Sequence, residues 1–223
     1  MSKTNARFEL WRPGLWRFAF PEGGEHLVAG VGERSCDVEG LRQLLAAKHG
    51  IALAEQTHGV SLSALGLLAA PQAPIPGCDG LATRAEQVAL VIRTADCLPI
   101  VLWDPVKRAA GLMHAGWRGL WKHLPLRMLS FLHQLYQTRA EDLWVGIGPS
   151  IRPCCYEVGR EFKERFGRFV KVQRGRLVCD LIGAAKTQLR AGGVRGSRIV
   201  DAGECTACHP ARWYSVRKDG ACD

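Results

Sequence analysis

Cys97 and His114 are the first residues in this chain whose types and placement suggest chemistry. Cys97 lies in Arg93-Thr-Ala-Asp-Cys-Leu-Pro99, between the apolar runs Val88–Ile92 and Ile100–Trp103. His114 follows a third run, Ala109–Met113, and leads into Ala-Gly-Trp-Arg-Gly119. Short apolar runs rich in β-branched residues and bounded by turn residues read as buried strands. The separation of the two residues matches one strand, a turn and a returning strand, so their side chains can meet. A thiol and an imidazole on rigid strands can share a metal or act as nucleophile and base. His58, in Gln56-Thr-His-Gly59, follows another strand-like run, Ile51–Glu55.

Each of these residues alone has a simpler reading. His58 would be a hydrogen-bonded surface histidine, Cys97 a small buried apolar residue, and His114 a strand-end histidine. Taken together, two imidazoles and a thiolate at strand ends satisfy the rule for catalytic zinc: three protein ligands and one open position. Such an ion can lower the pKa of bound water to about 7.

Further candidates surround this trio. Asp79, in Gly77-Cys-Asp-Gly80, reads either as a turn aspartate or as a general acid or base aimed into a cleft. Asp96 reads as a strand-end cap or as a partner for a ligand histidine. Arg118 reads as a solvated arginine or as a fork for phosphate oxygens, with Gly116 and Gly119 letting backbone come close to the anion. Cys205-Thr-Ala-Cys-His209 has the pattern of covalent c-type haem attachment, but attachment occurs in an exported compartment and no export signal is visible. A Cys-x-x-Cys pair can bind zinc, yet no second such pair completes a four-cysteine set. The adjacent Cys154 and Cys155 have poor spacing for two ligands on one ion, so packing or redox reactivity is expected of them.

The elements that must position these residues are mixed. Strands are expected at Leu15–Phe20, Leu27–Val31, Ile51–Glu55, Leu143–Ile147, Arg198–Asp201 and near Trp213–Val216, besides the three central runs, with an extended segment over Val60–Leu68. Helices are expected after Asp37 through Leu45, over Leu120–Tyr136 with a break or a first turn at Pro125, over Gly159–Phe166, and from an Asp180 cap to Ala191. Pro71–Pro76 reads as a loop. The fold class is α/β or α+β, a single domain over residues 1–223 without internal repeats.

The chain's 223 residues are 47% hydrophobic and 23% charged, which excludes a disordered chain. The net charge of +9 suits an anionic partner such as phosphate or a nucleotide. The basic residues are dispersed, which argues against a nucleic-acid arm. No apolar run approaches the roughly 18 residues of a membrane span, and no secretory signal is evident, so a cytoplasmic protein without membrane partners is expected. Nine cysteines, an odd number, argue against a complete disulfide framework. Oligomeric state is not legible.

Several motifs occur together and in order: Gln56-Thr-His-Gly59, Gly77-Cys-Asp-Gly-Leu-Ala-Thr83, Thr94-Ala-Asp-Cys-Leu-Pro-Ile100, His114-Ala-Gly-Trp-Arg-Gly119, Gly148-Pro-Ser-Ile151, Cys155-Tyr-Glu-Val158 and Cys205-Thr-x-Cys208. From Gln56 to the end of the chain this resembles the YfiH-like laccase-domain family, first called multicopper polyphenol oxidases. The resemblance implies a purine nucleoside phosphorylase acting on adenosine, inosine, guanosine and methylthioadenosine, with adenosine deaminase activity as well. The residues themselves suggest phosphate or substrate at Arg118 and Gln56 and Asp79 as the acid that protonates the leaving purine; the resemblance implies one Zn2+ held by His58, Cys97 and His114. It also implies a layered α/β/β/α domain distantly similar to cysteine hydrolases, in which Cys97 and His114 would be nucleophile and base. That alternative is an amidase, for example in cell-wall precursor quality control. Copper is discounted, because one three-ligand site does not match a multicopper oxidase. The first 50 residues depart from the family: Gly30-Val-Gly-Glu-Arg-Ser-Cys-Asp-Val-Glu-Gly40 stands where relatives carry a different loop of the substrate cleft.

Overall fold

The computed structural model describes residues 6–21, 27–36, 40, 50–66 and 73–220. Arg7–Arg12 (β1), Leu15–Ala19 (β2) and Ala29–Gly32 (β3) form a three-stranded antiparallel sheet. Gly50–Leu53 (β4) pairs in parallel with Val88–Val91 (β7). The main sheet has six strands: Leu62–Leu65 (β5), Gly80–Thr83 (β6), Leu98–Asp104 (β8), Ala109–Ala115 (β9), Trp144–Ile147 (β10) and Ile199–Asp201 (β13). Its order is β13-β10-β8-β9-β6-β5, parallel at its two outer pairs and antiparallel between. Val170–Gln173 (β11) and Arg176–Cys179 (β12) make a separate hairpin.

The α-helices whose residues are all described are Trp117–Trp121 (α1), Leu124–Tyr136 (α2), Phe162–Phe166 (α3), Leu181–Ala191 (α4) and Val216–Asp219 (α5). In α2, Leu124, Met128, Leu129 and Leu132 recur at helical spacing and are buried. Pro125 occupies its first turn, where a missing N–H costs nothing, and His123 in the left-handed region separates it from α1. The side chain of Asp180 accepts a 2.8 Å hydrogen bond from Gly183 N–H and caps α4 as expected.

The period of two along β8 divides the core. Leu98, Ile100 and Leu102 face the helical side, packing with Met113, Met128, Leu132 and Leu189. Val101 and Trp103 face the opposite side, packing with Phe18, Phe20 and Trp144. Burying each such large side chain contributes about 1.5–3 kcal/mol. Phe18 lies flat enough on β10 that a Cβ at Gly146 would come within 2.7 Å of its ring, so the strand needs glycine there. A third cluster, Ala52, Ala54, Cys78 and Leu81, seats the β4–β7 pair.

The fold is thus mixed α+β: helices, then the main sheet, then smaller sheets. The helix expected from Asp37 through Leu45 falls largely outside the described residues. Two expectations are corrected. The strand near Trp213–Val216 is a turn leading into α5, closed locally by Asp219 N–H donating to Ser215 O at 2.7 Å; Trp213 is buried by tilting against Trp16. The helix expected from Gly159 starts only at Phe162. The β11–β12 hairpin is not marked in the sequence: β11 is mostly exposed, and in β12 only Val178 and Cys179, adjacent rather than alternating, are buried. Its turn, Arg174-Gly175, has positive φ at both residues.

Candidate metal centre

Asp79 immediately precedes β6 and is fully buried. Its Oδ2 accepts from Thr57 N–H (3.1 Å), Thr57 Oγ1 (3.1 Å) and Gly59 N–H (2.6 Å). Its Oδ1 accepts from His58 N–H (2.9 Å) and His114 Nδ1 (2.9 Å). Burial alone would raise its pKa, but the His114 bond and the Gly59 and Thr57 donors outweigh it and hold the carboxyl below the ordinary aspartate range. This carboxylate therefore folds the 57–59 loop around itself and orients His114. Gln56 and His58 take positive φ, 64° and 57°, a conformation non-glycine residues rarely adopt, and the Asp79 bonds hold it.

His114 lies in β9 opposite Pro99 of β8, and Cys97 immediately precedes β8, so the hairpin brings both to the same end of the sheet. With Nδ1–H given to Asp79, the Nε2 of His114 is left to accept or ligate. Burial lowers the His114 pKa most, His58 adds to that, and Asp79 opposes it; the ring is held neutral. The rings of His58 and His114 meet edge to face at 4.8 Å. Burial pushes the Cys97 thiol up to about 12, with the charges of Asp96 and Asp79 adding and Arg118 opposing.

The donor atoms of His58, Cys97 and His114 all lie within 4.8 Å of one another. Ligand bonds of about 2.0–2.3 Å to a tetrahedral ion put donors some 3.3–3.8 Å apart, so a small contraction closes the set around one ion. A histidine whose other nitrogen is anchored by a carboxylate is the usual support for such a ligand. Gly116 borders the trio: a Cβ there would lie 2.9 Å from Cys97 Sγ and 3.3 Å from His58 Cδ2. Donor chemistry, spacing and support all fit a metal ion.

Arg118 is exposed on α1, stacks over Trp117 at 4.5 Å, and lies near enough to Cys97 for its charge to act on the thiol. Gln56 bonds to the backbone of Arg93. Its Nε2 donates to Arg93 O at 2.5 Å and its Oε1 accepts from Arg93 N–H at 2.8 Å, so its amide ties two loops together. Asp79 has both oxygens accepting hydrogen bonds and is buried against His114. Asp96 touches neither histidine: it accepts from Thr206 Oγ1 (2.6 Å) and Arg217 N–H (2.9 Å). Thr206 and Thr57 were not singled out in the sequence, since threonines in loops carry no spacing signal. The four cysteines 154, 155, 205 and 208, not expected to join, also come within 4.8 Å of one another.

These features describe a layered α+β domain with one candidate metal site at an end of its main sheet, and comparison with known proteins places its family. A family model described as multi-copper polyphenol oxidoreductase laccase matches residues 25–222. The chain belongs to that family. Over 146 residues it is 38% identical to a purine nucleoside phosphorylase of Aquifex aeolicus, covering 66% of this chain and 66% of that protein. Over 158 residues it is 31% identical to adenosine deaminase RL5 from an unknown prokaryotic organism, covering 67% of this chain and 60% of that protein. The crystal structure of YlmD from Geobacillus stearothermophilus matches with a TM-score of 0.82 at 26% identity, covering 96% of this chain and 94% of that one. The chain spans between 35% and 66% of the length of the curated relatives it matches.

Proposed function

We propose that this chain is a purine nucleoside phosphorylase whose reaction centre is the His58, Cys97 and His114 site. The observation that carries the reading is the convergence of these three donors, one of them anchored by a buried carboxylate, with an exposed arginine whose charge reaches Cys97. Relatives named for purine nucleoside phosphorolysis and adenosine deamination support a purine nucleoside as substrate.

Breaking an N-glycosidic bond builds positive charge on the sugar, as in other glycosyl transfers. Arg118 binds inorganic phosphate through its guanidinium fork and presents it to the anomeric carbon; the new C–O bond forms as the glycosidic C–N bond breaks, and the proton of hydrogen phosphate ends on the departing purine. Trp117, stacked under that guanidinium, restrains its orientation. Asp79 serves as a positioning residue: it keeps the proton on His114 Nδ1 and the 57–59 loop in place, and it is not the acid that protonates the purine. Gln56 braces the loop carrying His58 against Arg93. A zinc ion, which two imidazoles and a thiolate suit, would supply Lewis acidity and a low pKa for bound water. The candidate substrates are adenosine, inosine, guanosine and methylthioadenosine.

Deamination of adenosine at the same site is a second reading, favoured by the relative bearing that name. The amidase reading has a specific weakness. A thiol–imidazole–carboxylate triad would use Cys97, His114 and Asp79 and leave His58, the third convergent donor, without a task. Product analysis with adenosine and inosine, with and without phosphate, tests the proposal. Phosphate-dependent release of base and ribose 1-phosphate is expected. Ammonia release alone would favour deamination, and absence of any product would sink the assignment.

A further inference from the structure

Cys154 and Cys155 follow β10 in the loop over residues 148–158; Cys205 and Cys208 follow β13 in the loop over residues 202–215. Ser150 and Cys205 form a parallel bridge that lays the two loops side by side. Ser150 N–H donates to Glu204 O, and Thr206 N–H donates back to Ser150 O, both at 3.3 Å. A tight turn, in which Cys155 N–H and Tyr156 N–H both donate to Arg152 O at 2.9 Å, then aims the adjacent cysteines at the same place. Across it, the turn closed by His209 N–H donating to Cys205 O at 3.2 Å presents Cys205 and Cys208.

All four Sγ atoms lie within 4.8 Å of one another. The Cys154–Cys208 and Cys155–Cys208 sulfurs are 3.6 and 3.4 Å apart. Four thiolates at about 2.3 Å from a tetrahedral zinc sit about 3.8 Å from each other. The sulfurs are thus at ligand spacing, and too far apart to be bonded in pairs, which takes about 2.05 Å. Cys155 is half-buried and Cys205 buried, while Cys154 and Cys208 reach the surface, so an ion has a route in.

We propose that Cys154, Cys155, Cys205 and Cys208 form a second, structural zinc site with all four thiolates as ligands. Binding releases the thiol protons to solvent and fills every coordination position, so the site is closed to substrate. Its task is mechanical. The two loops it joins also hold the turn before Cys97: Thr206, between two of the ligands, donates to the Asp96 carboxylate at 2.6 Å, and Ile151 N–H donates to Asp96 O at 2.9 Å. Asp96 has φ of 85°, so the turn that delivers Cys97 depends on these outside contacts.

The test is metal content and cobalt spectroscopy on the full chain with the first site removed. The His58→Ala, His114→Ala double variant should still bind about one zinc per chain, and cobalt in its place should give intense thiolate charge-transfer and tetrahedral bands. X-ray absorption on the zinc form of that protein should show sulfur ligands alone, at about 2.3 Å. Adding Cys205→Ser and Cys208→Ser should abolish the ion, whereas Cys208→His should keep it, because zinc accepts three cysteines and a histidine. The proposal is overturned if the double variant holds no ion, if its ion shows nitrogen or oxygen neighbours only, or if the purified wild type carries a disulfide among these cysteines instead of metal.

Discussion

His114 Nδ1 lies 2.9 Å from the carboxylate of Asp79, a group with no exposure to solvent that also gathers the backbone of residues 57–59. One carboxylate therefore sets the position of both histidines of the site. Asp79→Asn keeps the shape but turns one acceptor into a donor facing donors. It is expected to lower metal affinity by about 10–100-fold, the usual cost of losing a partner behind a ligand histidine. Metal titration by competition with a chelator measures it.

Gly116→Ala tests how tightly the donors are packed. The new Cβ would stand 2.9 Å from Cys97 Sγ, so the thiol or the start of α1 must move. The expected result is a folded protein, destabilised by about 1–3 kcal/mol as for other overpacked positions, with most of its metal lost. Thermal unfolding and elemental analysis together read both effects.

Arg118→Ala separates phosphate binding from handling of the nucleoside. Arg118 is exposed, so its contribution is discounted to the lower end of charge-assisted bonds, and an apparent phosphate KM higher by about tenfold is expected. Any deamination, which needs no phosphate, should change little. Steady-state kinetics with varied phosphate distinguishes the two.

Asp201 gives a pH dependence with a definite sign. Burial pushes its pKa up, but Lys186 at 2.7 Å, the N–H of Gly203 and the Arg152 guanidinium outweigh that and hold it below 3.8. A depressed carboxylate contributes stability that is present above 3.8 and is lost as pH falls through the folded value. Asp201→Asn should cost about 1–3 kcal/mol at neutral pH, with the gap to wild type closing below pH 3.8. Denaturant unfolding at neutral and strongly acidic pH tests it.

Much of this architecture is legible in the sequence. The strands flanking Cys97 and His114 announce themselves because both faces of β8 and β9 are buried, which writes continuous apolar runs into the sequence. The helix from Leu181 is framed by a capping aspartate and a following glycine, both local signals. What stayed hidden depends on contacts between distant residues. Nothing near Gln56 reports that its amide will meet the backbone of Arg93, and nothing near Thr206 points to Asp96. The four cysteines look unmatched in sequence because one pair is adjacent and the other is Cys-x-x-Cys; contacts between distant loops, the Ser150–Cys205 bridge and Arg152 donating to Glu204 O among them, unite them. Trp213 misled for a related reason, since an aromatic buried against Trp16 looks like a strand residue when its partner is nearly the whole chain away.

His58 is the residue on which the metal reading and the thiol-nucleophile reading part. The most direct measurement is the phosphate-dependent release of base from inosine or adenosine by the wild type and by His58→Ala. The account predicts base and ribose 1-phosphate from the wild type, and a loss of at least about a hundredfold in the variant, as expected when one of three metal ligands is removed. Undiminished turnover in His58→Ala, or a wild type that releases base at the same rate without phosphate, would contradict it.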